Sequence, residues 1–136
     1  MKRILFLMML VCLGMAVEAQ TIRNSNNSTL ATVSSDGTIR NSSNSVIARI
    51  SSNGDIRDAN NHLIGRIDGS TLRNANNSTL GYINNDGTVR NSSSSLLGKI
   101  DRNGAVRDSN NHTIGYAQGV PIRYAAVYFF FNLLPR

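Results

Sequence analysis

The sequence predicts an all-β protein built from tandem β-hairpin repeats that close into a ring. A short motif recurs at nearly constant spacing, and β-branched runs alternate with turns rich in Asn, Ser, Asp and Gly. After the first residues, no stretch shows the 3.6-residue apolar period of an amphipathic helix. The chain has 136 residues, which is room for one domain.

The N-terminus has the pattern of an export signal. Lys2 and Arg3 precede an apolar run over residues 4–11, and small residues follow up to Ala19. This arrangement predicts a signal peptide over residues 1–19, cleaved after Ala19. The apolar run is too short to span a membrane as a helix. We therefore expect an exported protein in the periplasm, on the cell surface or outside the cell, with no transmembrane helix in the mature chain.

Cleavage fixes the cysteine content and charge of the mature chain. Cys12 is the only cysteine and directly follows the apolar run, within the predicted signal peptide, so no disulfide is expected after cleavage. Loss of Lys2, Arg3 and Glu18 reduces the net charge of +6 to about +5. A basic exported protein suits anionic glycans, lipid head groups or nucleic acid. The even spread of the arginines argues against nucleic acid, which favours a concentrated patch.

An arginine that follows a β-branched residue or leucine marks the repeat. Successive copies stand 16 or 17 residues apart, and every third copy stands 50 residues further on. The spacing predicts a unit copied to three and then doubled. The marking arginines are Arg23, Arg40, Arg57, Arg73, Arg90, Arg107 and Arg123.

Each unit is predicted to contain two strands and two turns. In one copy, residues 38–40 form a strand, 41–45 a polar turn, 46–50 a second strand and 51–54 a closing turn. One unit offers too few apolar side chains to fold alone, so neighbouring units must complete its core.

The closing turn predicts a register between the strands on either side of it. A three-residue loop over 52–54 pairs Ile50 with Ile56 and places Gly54 in the left-handed position of a bulged turn. The same device is expected at Gly37, Gly69, Gly87 and Gly104.

A small residue recurs in the second strand of every unit. It predicts a bulge or the close approach of a neighbouring backbone. Packing around a shared axis explains it, and so does a sharply twisted strand. The residues are Ala31, Ala48, Gly65, Gly81, Gly98 and Gly115.

The domain organisation follows from the repeat. Residues 1–19 are the signal peptide, 20–119 hold six hairpin repeats, and 120–136 form a closing strand with an aromatic tail. The tail is expected to fill the core as a strand. The alternative is a membrane-contacting or self-associating segment, with Tyr128, Phe129, Phe130 and Phe131 as the contact residues.

Signals for catalysis are weak. His62 and His112 each follow an aspartate by four residues, and a general base needs such a partner held close. Because the pair recurs with the repeat, copying explains it without chemistry. The mature chain has no Glu to close a calcium loop. We therefore predict no enzyme, no catalytic residues, no metal site and no cofactor.

The tandem pattern I-R-N-S-x-x-x-x-I-G-x-I-x-x-D-G-T resembles that of the secreted 5-fold β-flower proteins of Bacteroidota. The opening residues 19–23 and the closing residues 125–131 are also similar to that family. The resemblance implies a small flower-like ring of hairpins with an uncharacterised function and no catalytic residues. This chain, however, has six second strands. The pattern stands here as Thr71-Leu72-Arg73-Asn74, followed by Thr79-Leu80-Gly81-Tyr82-Ile83-Asn84-Asn85-Asp86-Gly87-Thr88.

Two functions fit the sequence. The first is a structural or interaction module of the cell envelope or secretome that self-associates through the aromatic tail. The second is a binding module for anionic glycans or lipid head groups, in which the seven marking arginines, Arg23 to Arg123, form a band. Arginine stems that cover a thin core on a solvated face are the alternative explanation of that band. Arg49, Arg66 and Lys99 share a second position with Tyr82 and Tyr116, which indicates a tolerant surface.

Overall fold

The computed structural model describes residues 20–135, so the predicted signal peptide and its cleavage after Ala19 lie outside the described residues. Within this range the chain forms twelve strands and one helix. The strands have four to six residues each. The elements are β1 (Gln20–Asn24), β2 (Thr29–Val33), β3 (Thr38–Asn41), β4 (Val46–Ile50), β5 (Asp55–Asp58), β6 (Leu63–Asp68), β7 (Thr71–Asn74), β8 (Thr79–Ile83), β9 (Thr88–Asn91), β10 (Leu96–Ile100), β11 (Ala105–Asp108), β12 (Thr113–Tyr116) and α1 (Ile122–Phe130).

The strands form one closed antiparallel barrel in chain order, which confirms the all-β ring of hairpins. Every strand pairs with its sequence neighbours, and β1 pairs with β12 to complete the circle. The closing register places Arg23 opposite Tyr116. Closure pairs both outer strands and so removes the free edges that a row of hairpins would expose.

The glycine turn between β4 and β5 has the predicted geometry. Ile50 pairs with Ile56, and Gly54 has a φ of 95°. The backbone N–H of Gly54 donates to Ser51 O at 2.9 Å. Its carbonyl oxygen accepts from Ile67 N at 2.8 Å, on the next hairpin. The turn therefore sets the register locally and also ties neighbouring hairpins together.

The turn at Gly69 differs from the prediction. Asp68 pairs directly with Thr71, which leaves a two-residue turn instead of a three-residue loop. Ser70 supplies the carbonyl that binds the next hairpin, accepting from Ile83 N at 2.7 Å. The missing residue accounts for the shorter repeat step at this point of the chain.

Two layers of apolar side chains line the inside of the ring. In the first layer a large residue from one strand of each hairpin faces the small residue of the other strand, as Ile56 faces Gly65. The second layer lies two residues further along the second strand. The first layer is Ile22, Ile39, Ile56, Leu72, Val89 and Val106, all fully buried, and the second is Val33, Ile50, Ile67, Ile83, Ile100 and Ala117.

The C-terminal segment is a helix, so the prediction of a closing aromatic strand over residues 120–136 is wrong. Helix α1 spans Ile122–Phe130 and starts after Pro121. Four consecutive residues, Ala125 to Tyr128, are all buried. Since successive helical residues point about 100° apart, burial of four in a row means that the helix is enclosed on every side over this turn. It therefore occupies the interior of the ring.

Closure explains why this apolar segment is not a strand. Aromatic and β-branched residues favour strands, and that composition supported the prediction. Pairing of β1 with β12, however, leaves no edge on which another strand could form hydrogen bonds. A single strand inside the ring would bury unpaired backbone groups, whereas a helix satisfies most of its own.

The recurring small residues make room for side chains from the C-terminal segment. A Cβ atom placed on Gly81 would lie 2.7 Å from Phe131 Cε1, and one on Gly65 would lie 2.7 Å from Leu133 Cδ2. The Gly65 Cβ would also lie 2.8 Å from Arg73 O, so the predicted backbone approach is present as well. Equivalent contacts join Gly98 to Phe130 and Gly115 to Phe129.

The described part of the chain has no helix with the length and hydropathy needed to cross a membrane. Its helix has nine residues and lies inside the ring.

The contact between Gly98 and Phe130 predicts a measurable coupling. Gly98→Ala places a methyl group against the Phe130 ring and Arg107 O, at an expected cost of about 1–3 kcal/mol in unfolding free energy. Phe130→Leu should cost about 1 kcal/mol alone. Because leucine is smaller, the double variant should lose less than the two single losses added together. Urea unfolding of all four proteins checks this, and strictly additive losses would contradict the packing described.

Candidate functional site

The outer face of the ring carries a continuous circle of mostly basic side chains, here called the outer belt. Residues alternate between the two faces of a strand, so each strand contributes one belt residue next to its buried neighbours. Nine of the twelve belt residues are cationic and none is buried. In ring order the belt is Arg23, Thr32, Arg40, Arg49, Arg57, Arg66, Arg73, Tyr82, Arg90, Lys99, Arg107 and Tyr116.

The belt combines two sets of residues from the repeat: the marking arginines and the second position, which holds Arg49, Arg66 and Lys99. The glycine turns place the second strand of one hairpin against the first strand of the next. Arg49 therefore pairs directly with Arg57, in the register that the pairing of Ile50 with Ile56 implies. The register predicted for this turn therefore already implied that Arg49 faces Arg57. The six belt pairs are Arg49–Arg57, Arg66–Arg73, Lys99–Arg107, Thr32–Arg40, Tyr82–Arg90 and Tyr116–Arg23.

Two aspartates neutralise part of the belt. Asp55 Oδ1 lies 2.9 Å from Arg66 Nε, and its Oδ2 lies 3.7 Å from an Arg57 Nη atom. Asp101 Oδ2 lies 2.8 Å from Arg107 Nε.

Other cations of the belt keep their charge exposed. Among residues 20–135, Arg49 and Lys99 form no ion pair, and both side chains are exposed. They attract Asp36 and Asp86, respectively, at longer range. The pKa of each of these two carboxyls is lowered mainly by hydrogen bonds from the backbone N–H and the side chain of Thr38 or Thr88, and only secondarily by this attraction. The belt is therefore a net positive surface.

The marking arginines also support the polar turns. Arg90 Nη1 donates to Ser94 O at 3.0 Å, and Arg57 Nη1 donates to Asn61 O at 3.1 Å. A guanidinium has five N–H donors, so this contact leaves donors for an anion. The equivalent contact is made by Arg23, Arg40, Arg73 and Arg107.

Arg123 does not belong to the band predicted from the sequence. It lies on α1 and is exposed, because the chain leaves the repeat after β12. The band therefore contains six of the seven marking arginines. The residues that complete the belt come from the second position of the repeat.

Each polar turn is organised by one side-chain oxygen. Asn41 Oδ1 accepts from Ser43 N and Ser45 N, both at 3.0 Å. Three residues after Asn41 the backbone adopts a left-handed conformation, with φ of 68° at Asn44. Asparagine occupies that left-handed position in five turns, and Ser94 occupies it in the sixth.

Ser94→Asn is expected to stabilise the protein. Asparagine tolerates the left-handed conformation better than serine, so the unfolding free energy should rise by about 0.5–1 kcal/mol. Ser93→Asn is the matched control, because Ser93 is also exposed but is not left-handed. Thermal and urea unfolding compare the three proteins. A gain at residue 93 equal to that at residue 94 would contradict the conformational explanation.

The two His–Asp pairs are turn contacts on separate hairpins. His62 Nδ1 lies 3.3 Å from Asp58 Oδ2, and His112 Nδ1 lies 3.6 Å from Asp108 Oδ2. Both imidazoles are about three-quarters exposed, at 75% and 77%. The pairs lie on the β5–β6 and β11–β12 hairpins, so they do not form one site. Within the described range, no group of three or more His, Cys, Asp or Glu side chains could hold a metal ion.

Asp58 and Asp108 predict a loss of stability at acidic pH. The backbone N–H of His62 or His112 is the main donor that lowers each carboxyl pKa. Carboxyls with a lowered pKa stabilise the fold above their ordinary value of about 3.9, and this contribution is lost as pH falls through the folded-state pKa. Asp58→Asn with Asp108→Asn keeps the acceptor oxygen without titration. Urea unfolding at about pH 7 and about pH 3 should show a smaller loss in this variant. A loss as large as that of the unmodified protein, or of the charge control Asp68→Asn, would contradict it.

The tail aromatics lie against the inside of the ring. Tyr128 and Phe131 are buried, and Phe129 and Phe130 are half-buried and pack against the core. The rings of Tyr128 and Phe129 meet edge to face with centroids 5.5 Å apart. Self-association through these residues would require them to leave the ring.

A family model described as 5-fold beta-flower protein matches residues 18–133 of this chain. Neither the search of curated proteins nor the search of solved structures found a match. The matched region contains six hairpins in the described residues, one more than the symmetry in the family's description.

Proposed function

We propose that this chain, which belongs to the 5-fold beta-flower family, is an exported, non-enzymatic module that binds anionic glycans or lipid head groups on its outer belt. The observation that carries the proposal is the direct pairing of like charges across neighbouring strands. Arg49 faces Arg57, Arg66 faces Arg73, and Lys99 faces Arg107. Like charges directly opposite one another destabilise a sheet, and an anion bound across such a pair would offset the repulsion.

The fold itself does not require these cations. At the position equivalent to Arg49, the first hairpin has Thr32, which faces Arg40 in the same register. Tyr82 and Tyr116 occupy that position in two other hairpins. Because a neutral side chain is compatible with the architecture, Arg49 and Lys99, which form no ion pair within the described residues, are better explained by binding than by stability.

The export part of the proposal is supported by the sequence alone. The basic start, short apolar run and small residues up to Ala19 match a signal peptide. The resemblance to secreted proteins of Bacteroidota agrees with export. The proposal of a non-enzymatic role is supported by the exposure of His62 and His112 and by their separation on different hairpins.

A self-associating structural module has less support. Its proposed contact residues, Tyr128 and Phe129 to Phe131, pack inside the ring and against the small residues of its wall. The outer belt is the surface that the described residues leave accessible around the whole circumference.

Removal of unpaired belt cations is expected to weaken binding of polyanions. Arg49→Thr with Lys99→Thr copies the chain's own Thr32 pair. At low salt, this variant should bind a sulfated polysaccharide or anionic vesicles about tenfold more weakly than the unmodified protein. Arg102→Ser with Arg123→Ser removes the same charge at exposed positions outside the belt and is the matched control. Binding should weaken for all proteins as salt rises.

Two kinds of measurement decide the proposal. Titration at two salt concentrations gives the affinities, and urea unfolding tests whether the belt variant is at least as stable as the unmodified protein. Equal weakening by the control would mean that net charge, and not the belt, causes binding. Failure of the unmodified protein to bind any polyanion at low salt would overturn the proposal.

A further inference from the structure

The outer belt has two different arcs. Strands β3 to β7 carry five consecutive arginines, from Arg40 to Arg73. Strands β8 to β12 instead place two tyrosines at the ends of a run of three cations. We call this second run the aromatic arc, and it consists of Tyr82, Arg90, Lys99, Arg107 and Tyr116.

Each tyrosine of the aromatic arc has a cation on one side and a small residue on the other. Tyr116 pairs with Arg23 on β1 and with Ala105 on β11. Tyr82 pairs with Arg90 on β9 and with Thr71 on β7.

The tyrosine side chains are accessible. Tyr116 is 37% exposed and is one of two exposed large apolar residues in the described chain. Tyr82 is partly exposed. Each follows a buried glycine of the inner wall, Gly115 or Gly81, so the tyrosine itself points outward.

The arc has the dimensions of an elongated ligand site. Neighbouring strands lie about 4.8 Å apart, so the four steps from β8 to β12 span about 19 Å measured perpendicular to the strands. The arc is longer than this, because Arg90 pairs with Leu96 and Tyr116 with Ala105, which offsets the belt residues of each hairpin along the strands. Cations lie at each of the three intermediate strands. A ligand that fills the arc must run across the strands and carry several negative charges.

We propose, resting on the function above, that the aromatic arc binds an acidic polysaccharide that lies across strands β8 to β12. Tyrosine offers a flat apolar face and a hydroxyl group, which suits the C–H face of a pyranose ring and its hydroxyls. Arg90, Lys99 and Arg107 then bind carboxylate or sulfate groups on the intervening sugars.

Lipid head groups fit this arc less well. The belt runs around a convex cylinder, so a flat bilayer can touch only a narrow part of it at one time. A flexible polysaccharide can follow the curvature and engage Tyr82 and Tyr116 together. The tyrosines also provide ring stacking, for which a simple phosphate group has no counterpart.

The test compares three probes on the full chain. Tyr82→Thr with Tyr116→Thr copies Thr32, and Tyr82→Phe with Tyr116→Phe keeps the rings. The probes are heparin, inorganic polyphosphate and phosphatidylglycerol vesicles. The threonine variant should lose at least about fivefold in heparin affinity, with polyphosphate affinity unchanged. The phenylalanine variant should keep most of its heparin affinity. Thr32→Ala is the matched belt control and should leave both affinities unchanged.

The outcomes separate this inference from the proposed function. Unchanged heparin affinity in the threonine variant overturns the stacking role while charge-based binding stands. An equal loss for heparin and polyphosphate also overturns it, because stacking acts only on sugars. Binding of vesicles without binding of heparin overturns the choice of ligand class. Absence of all three interactions in the unmodified protein overturns the proposed function itself.

Discussion

The fit between the C-terminal segment and the ring of small residues is the constraint on which the structure depends. Twelve short strands enclose a space too wide for their own side chains to fill. Helix α1 fills it with Ala125, Ala126 and Val127, all fully buried. Phe129 to Phe131 then reach the glycines on three successive hairpins. The strands of the ring are repeats of one unit, whereas the C-terminal segment is not repetitive. Each glycine of the inner wall is therefore matched in size to a different side chain of that segment.

Packing of the interior leaves the outer surface free to vary. The glycine turns fix the register through backbone hydrogen bonds, as Gly54 does with Ser51 and Ile67. The polar turns do so through one side-chain oxygen and the carbonyl contact of the marking arginine. Since neither device depends on the second belt position, that position holds Thr32 in one hairpin and Arg49 in the next. Cations can therefore accumulate on the outer face, because the packed core stabilises the fold against their mutual repulsion.

Local chemistry explains what the sequence could predict. The pairing of Ile50 with Ile56 follows from a short loop and one left-handed glycine, and the packing of hairpins on one another follows from the need of each unit for neighbours. Closure into a ring was implied by the resemblance to the β-flower proteins. The turn at Gly69 was predicted incorrectly because a glycine does not by itself distinguish a two-residue turn from a three-residue loop. The tail was predicted as a strand because closure of β1 on β12 is a long-range event that local composition does not record. The direct facing of Arg49 and Arg57 was implied by the register, but which aromatic ring meets which glycine was not.

The closing pair of strands has a kinetic consequence. Eleven of the twelve strand pairings join neighbours in the chain, whereas Arg23 and Tyr116 must meet across nearly the whole repeat. Among the strand pairings, the partners are therefore close in sequence everywhere except at this one junction. Because the entropy of loop closure grows only logarithmically with length, hairpins that have already condensed shorten the search for this last pairing. Six hairpins and the five strand pairings between them can therefore form locally, whereas closure of β1 on β12 and packing of α1 inside the ring join distant residues. The C-terminal residues are synthesised only after all six hairpins.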